Sequence, residues 1–120
     1  MLARNLYNKI VAKTTTYQVL PSDIGTLFTN RGGTASFIFT LPTVADLTAG
    51  WWCEFYGISA TGFVVASAGS SDNIVALNDA GADTVTMTTT SRIIGANIRV
   101  VWDGTSWLTF EGAGATYVVA

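Results

Sequence analysis

The sequence contains no histidine, which removes the side chain most often used as a general base, as a metal ligand and as the base of a hydrolytic triad. A serine or threonine nucleophile would then need lysine as its base, and the only lysines, Lys9 and Lys13, lie near the N-terminus. Charge of either sign is also scarce: Asp, Glu, Lys and Arg make up 12% of the 120 residues, about half the roughly 25% usual in soluble domains. Cys53 is the one cysteine, so no intrachain disulfide can form. Its setting, Trp51-Trp52-Cys53-Glu54-Phe55, suits a small buried residue better than a reactive thiol. Apolar runs are short, as in Phe63-Val64-Val65-Ala66, whereas a bilayer-spanning helix needs ~20 apolar residues; no membrane anchor is expected. The first residues break their apolar side chains with Asn5, Asn8 and Lys13 and lack the continuous apolar stretch of a signal peptide, which makes the cytoplasm the expected place of synthesis.

What is present is apolar: 49% of the residues. A chain of this length forms one core in one domain. With so few charges, its outer face must be built from Thr, Ser, Asn and Gly, or be covered by a partner. The net charge of −2 conceals an asymmetry, because residues 1–13 carry Arg4, Lys9 and Lys13 with no acid, and residues 14–120 carry the rest. An acidic body with Arg31, Arg92 and Arg99 scattered along it offers no basic stripe, so nucleic acid is not an expected partner.

Residues 1–13 read as an arm and 14–120 as the folded body. Leu2, Leu6 and Ile10, with Tyr7 and Val11 more loosely, would fit one helical stripe. The segment is too short to hold as an isolated helix, so it is expected to pair as an edge strand or to dock on a neighbour. From Thr14 onward, short runs rich in Thr, Val, Ile and aromatics are punctuated by Gly, Pro, Asn, Asp and Ser, the grammar of an all-β sandwich or barrel. The fold expected is an antiparallel, jelly-roll-like β-sandwich with an extended N-terminal arm. Thr34–Leu41 alternates with Phe37, Phe39 and Leu41 toward the core. Trp51–Ile58 opposes Trp51, Cys53 and Phe55 to Trp52, Glu54 and Tyr56; if the first set is inward, two large aromatics point out. Thr84, Thr86 and Thr88 form a wet face. Asp103-Gly104 between alternating runs signals a hairpin with Trp102 and Trp107 at its ends.

No catalytic residue, cofactor site or metal site is assigned. Glu54 and Glu111 are two strand carboxylates that would suit glycosidase chemistry only if they met across a sheet, and nothing around them sets their pKa values apart. Asp72, Asp79 and Asp83 lie in segments with the composition of a calcium loop, but these are also turn residues and their spacing is not that of an EF-hand. Gly32-Gly33 and Gly112-Ala113-Gly114 lack a following helix and read as bends, not phosphate loops. Candidate interface residues are Arg4, Leu6, Tyr7 and Ile10 on the arm, the outward pair Trp52 and Tyr56, and the hairpin residues Trp102 and Trp107; core packing competes for the tryptophans.

Several stretches taken together resemble virion proteins of tailed bacteriophages: capsid decoration proteins, head fibres and tail-fibre or tail-spike modules. They are Tyr17-Gln18-Val19-Leu20-Pro21-Ser22-Asp23-Ile24-Gly25, Asn30-Arg31-Gly32-Gly33, Phe37-Ile38-Phe39-Thr40-Leu41-Pro42, Gly50-Trp51 and Trp102-Asp103-Gly104-Thr105-Ser106-Trp107. The likeness covers about residues 14–111 and carries no catalytic residues. It implies a β-sandwich, often a homotrimer, placed on a capsid or a tail of the virion. The partners it implies are copies of the chain and the major capsid or other virion proteins. A capsid decoration or cement protein is the first expectation, since the chain has no long repetitive shaft; a tail or fibre module binding a receptor or host glycan is the alternative.

Overall fold

Residues 97–102 set the pattern of the architecture. In this run Ile98, Val100 and Trp102 are buried while Asn97, Arg99 and Val101 are partly exposed, the period of two that places alternate side chains on opposite faces of a sheet. The computed structural model describes residues 6–69, 71–87, 93–112 and 117–120. Its strands are β1 (Lys9–Ala12), β2 (Tyr17–Gln18), β3 (Thr26–Thr29), β4 (Ile38–Thr40), β5 (Trp52–Tyr56), β6 (Val64–Ala66), β7 (Ile74–Ala76), β8 (Asp79–Ala82), β9 (Thr84–Met87), β10 (Asn97–Trp102), β11 (Trp107–Glu111) and β12 (Tyr117–Val119). The described residues contain no α-helix, only single 3-10 turns at Pro21–Asp23 and Val44–Asp46.

Two sheets form: one of seven strands in the order β1-β3-β5-β10-β11-β7-β8, and one of five in the order β12-β9-β6-β4-β2. The all-β, sandwich-like reading of the sequence holds. Its antiparallel, jelly-roll-like form is corrected, because both sheets are mixed. From β1 to β7 the chain alternates between layers, each strand followed by one in the opposite sheet. A strand that returns to its sheet after a full crossing runs the same way as the one it joins. Hence β1, β3 and β5 pair in parallel, as do β2, β4 and β6. Antiparallel pairing is found for β7/β8, β10/β11, β5/β10, β6/β9 and β9/β12. Turn residues mark where the chain reverses; they do not say whether the next strand joins the same sheet or crosses the core.

Between the layers lies an aromatic core. Phe39 packs on Phe55 at 4.8 Å between ring centroids, on Phe28 at 5.4 Å and edge-on to Phe63 at 5.5 Å. Phe28 and Phe55 come from the seven-stranded sheet, Phe39 from the other, so these contacts join the layers. Each such buried side chain contributes about 2–3 kcal/mol relative to exposure. Phe37, Phe39, Leu41, Trp51, Cys53 and Phe55 are all buried, as the alternation predicts, and burial, followed by the nearby charges of Asp23 and Glu54, pushes the Cys53 thiol well above its ordinary value. Asn30 is fully buried and accounts for its polar atoms: Oδ1 accepts from the Ile58 and Ser59 amides at 2.7 and 2.8 Å, and Nδ2 donates to the Ser59 and Gly62 carbonyls.

Of the two fates left open for the arm, Lys9–Ala12 takes the edge strand. It pairs with β3 from Lys9↔Thr26 to Ala12↔Thr29, and the Asn8 and Lys13 amides extend the ladder to the Gly25 and Thr29 carbonyls. Lys9 also reaches Asp23 at 3.5 Å, and the Lys13 ammonium stands 3.9 Å from the Tyr17 ring centre.

Candidate interaction surface

The side of the seven-stranded sheet that faces away from the core follows from the same alternation. With Cys53 and Phe55 inward, β5 turns Trp52, Glu54 and Tyr56 outward; β10 turns out Arg99 and Val101, and β11 turns out Leu108 and Phe110. The register aligns them. Ile10 stands opposite Leu27, Leu27 opposite Glu54, Glu54 opposite Arg99, and Arg99 opposite Phe110. One row therefore crosses five strands: Ile10, Leu27, Glu54, Arg99, Phe110. A second row runs Trp52, Val101, Leu108, Val75, and Tyr56 stands opposite Asn97 in a third.

At the centre of this face is a small polar cluster. Glu54 Oε1 accepts from Arg99 Nε at 3.0 Å and from the Tyr7 hydroxyl at 3.0 Å. The guanidinium lies 5.2 Å from the Trp52 ring centre, and the Tyr7 and Trp52 rings meet at 5.8 Å. Glu54 is 9% exposed although it points away from the core, because Tyr7, Trp52 and Arg99 cover it. Burial, reinforced by the hydrogen bond and charge of Glu54 and opposed by Arg99, raises the Tyr7 phenol. For Arg99, burial alone would lower the pKa, but the hydrogen bond and charge of Glu54 outweigh it and raise it. Around the cluster the face is apolar, with Ile10 at 67%, Phe110 at 57% and Tyr56 at 40% exposure.

The candidates named from sequence divide. Tyr7, Ile10, Trp52 and Tyr56 come together on this face, and Leu6 lies beside it, 55% exposed, lining a shallow depression with Tyr7 and Ile10. Trp102 and Trp107 are corrected to core residues: they pair across the hairpin, their rings meet at 5.4 Å, and Trp51 packs edge-on to Trp107 at 5.6 Å. Arg4, like Leu2 and Thr88, falls outside the described residues. Leu27, Arg99 and Phe110 are the residues that sequence reasoning missed. The alternation of Trp107–Glu111 sets Leu108 and Phe110 against the buried Trp107 and was the available signal for one of them.

Glu54 and Glu111 do not form a carboxylate pair. Glu111 stands opposite the buried Ile98 and binds the Thr109 hydroxyl at 2.9 Å, on the face of the sheet opposite to Glu54. Asp79 Oδ1 is taken by the Gly81 amide at 2.9 Å, and among the described residues no group of three Asp, Glu or Cys side chains converges as a cation site would require. No model of a known protein family matches the chain, and no curated protein is similar to it.

Proposed function

We propose that the chain is a non-enzymatic structural protein of a tailed-phage virion, a capsid decoration or cement protein that stabilises the head by bridging subunits. The observation that carries this reading is the outward face of the seven-stranded sheet, where Ile10, Leu27, Trp52, Tyr56, Leu108 and Phe110 surround a single ion pair. A sheet face that turns exposed Ile10, Tyr56 and Phe110 outward beside half-buried Leu27, Trp52 and Leu108 suits contact with another protein, and bridging subunits requires area rather than chemistry. The resemblance of residues 14–111 to virion modules supplies the setting. In this reading the chain is made in the host cytoplasm and resides on the virion, its partners being copies of itself and the major capsid protein, with no cofactor, nucleic acid or membrane involved.

The test is to add purified chain to heads assembled without it, and to follow both bound protein and the temperature at which the heads open. Saturable binding with a rise in the opening temperature is expected. Absence of binding overturns the reading. The alternative, a tail or fibre module that holds a host glycan on Trp52, Tyr56 and Phe110, draws on the stacking of flat aromatic rings with sugar faces. It is recognised by quenching of tryptophan fluorescence on titration with host polysaccharide and by indifference to heads.

A further inference from the structure

We infer that β1 is an exchangeable strand: the Lys9–Ala12 segment of one copy takes the same seat on β3 of a second copy, which gives its own β1 in return. This rests on the assembly reading above and names the contact by which copies join.

The occupant of the seat is visible, since β1 fills it on its own chain and the strand of another copy is identical. What sets β1 apart is how little the core holds it. None of its four residues is buried, whereas three of the four in β3 are. Val11 packs partly on the core and Ile10 is 67% exposed. The rest of the hold is backbone and polar. It consists of the parallel ladder from Lys9↔Thr26 to Ala12↔Thr29, the Asn8 side chain on the Ile24 carbonyl, the Tyr7 hydroxyl on Glu54 and Lys9 on Asp23. Every one of these ties runs from residues 7–12 to Asp23 or beyond. An identical segment from another copy therefore makes all of them again, and exchange gives up no contact within the seat.

With the seat neutral to exchange, the balance rests on the hinge and on concentration. Lys13 is the last residue tied to β3, through its amide on the Thr29 carbonyl, and Thr16 is the first tied to β4, its hydroxyl accepting from the Ile38 amide at 3.2 Å. Between them the chain bends at Thr14 and Thr15, both exposed. Thr14, Thr15 and Thr16 are three β-branched residues in succession, a run that favours extended backbone. The closed chain thus bends where its sequence prefers to run straight. Straightening the hinge lines β1 up with β2 and carries it off its own β3. The three steps from Lys13 to Thr16 span at most about 10–11 Å, so the second copy has to stand directly against this end of the sandwich. Each copy gives and receives the same strand at the same place, which makes the contact isologous.

The experiment asks which chain supplies β1. Ile10 and Leu27 are register partners on the outward side of the sheet, and neighbouring strands lie about 4.8 Å apart, within reach of a disulfide. Ile10→Cys is made in one full-length chain and Leu27→Cys in another that carries a mass tag. The two are unfolded in urea, refolded together at high concentration under reducing conditions, and then oxidised. Cys53 is fully buried in the folded chain and takes no part. Tagged–untagged pairs are expected to exceed pairs of either chain with itself by roughly tenfold, because only cysteines in the seat meet disulfide geometry. A chain with both substitutions forms its bond within one chain where closed and between chains where exchanged, and the share between chains is expected to rise with concentration. Removal of Thr14 and Thr15, which stops β1 from turning back onto its own β3, raises that share severalfold; glycine at both positions, which relieves the extended preference, lowers it. Circular dichroism confirms that each variant folds. A bond within one chain at every concentration, with no excess of tagged–untagged pairs, overturns the exchange. So does a stable dimer whose bonds stay within each chain. If the exchange fails and the chain still binds heads, the virion reading stands without it; an exchanged pair that ignores heads does the reverse.

Discussion

Tyr17 lies at the seam where the edges of the two sheets meet. Its ring packs on Phe28 of the other sheet at 5.5 Å, its hydroxyl donates to Asp23 Oδ2 at 2.8 Å, and the Lys13 ammonium sits over its face. Burial first, then the hydrogen bond and charge of Asp23, push its phenol up to about 12 from 10.0. A raised pKa means that the folded chain holds this proton more tightly than the unfolded chain, so unfolding releases it and stability falls as pH rises through the window between the two values. The contribution of Tyr17 is fully present below pH 10 and is lost as pH climbs toward 12. Urea unfolding at a series of alkaline pH values checks this: the unaltered chain is expected to lose stability more steeply across that window than Tyr17→Phe, which has no proton to lose. The two proteins differ only in that hydroxyl, so the difference between their curves isolates the phenol. Parallel curves would show that neither burial nor Asp23 raises the phenol in the folded chain.

At the scale of the element, the β7–β8 hairpin turns on Leu77 and Asn78, with φ of 42° and 71°. Two consecutive left-handed residues make the tight turn that matches the twist of paired strands, normally built from Asn-Gly or Asp-Gly. Asn tolerates that conformation, whereas in Leu the Cβ crowds the following carbonyl at about 1–2 kcal/mol. Leu77 is 56% exposed and so recovers little by burial. Leu77→Asn is therefore expected to stabilise the chain by about 1 kcal/mol, seen as a higher urea midpoint with an unchanged slope. The same turn shows where sequence reading stops. The run Asn73–Asn78 reads as one strand because leucine is no turn signal, and Asp79-Ala80-Gly81-Ala82 reads as loop although it pairs with β7. Strands with strong alternation, such as Ile38–Thr40 and Trp52–Tyr56, were legible because burial on one face imposes the pattern. The outward placement of Trp52 and Tyr56 followed from it. The row joining Leu27, Glu54, Arg99 and Phe110 was not legible, since it depends on the register of strands far apart in the chain, which alternation along one strand does not fix.

For the whole molecule, the decisive segment is the one that sequence alone set apart. Residues 1–13 read as an arm because their charge and their spacing differ from those of residues 14–120, yet Lys9–Ala12 closes one edge of the seven-stranded sheet, and Val11 packs on the core. The tie is made of a parallel ladder to β3, the Asn8 side-chain amide on the Ile24 carbonyl at 2.9 Å, the Tyr7 hydroxyl on Glu54 and the Lys9–Asp23 contact. An arm free to anchor elsewhere would leave the body indifferent to its removal. Deletion of residues 1–13 is instead expected to lower the unfolding free energy by about 2–4 kcal/mol, from the lost Val11 burial and a few ladder bonds at about 0.5–1.5 kcal/mol each. The uncovered edge of β3 then offers unpaired amides and carbonyls to any other strand, so the truncated chain should aggregate in proportion to concentration. Thermal unfolding and light scattering on the same samples separate the two effects. An unchanged melting temperature with a clean solution mass would mean that the edge strand is dispensable, and the arm would then be available to a neighbouring subunit.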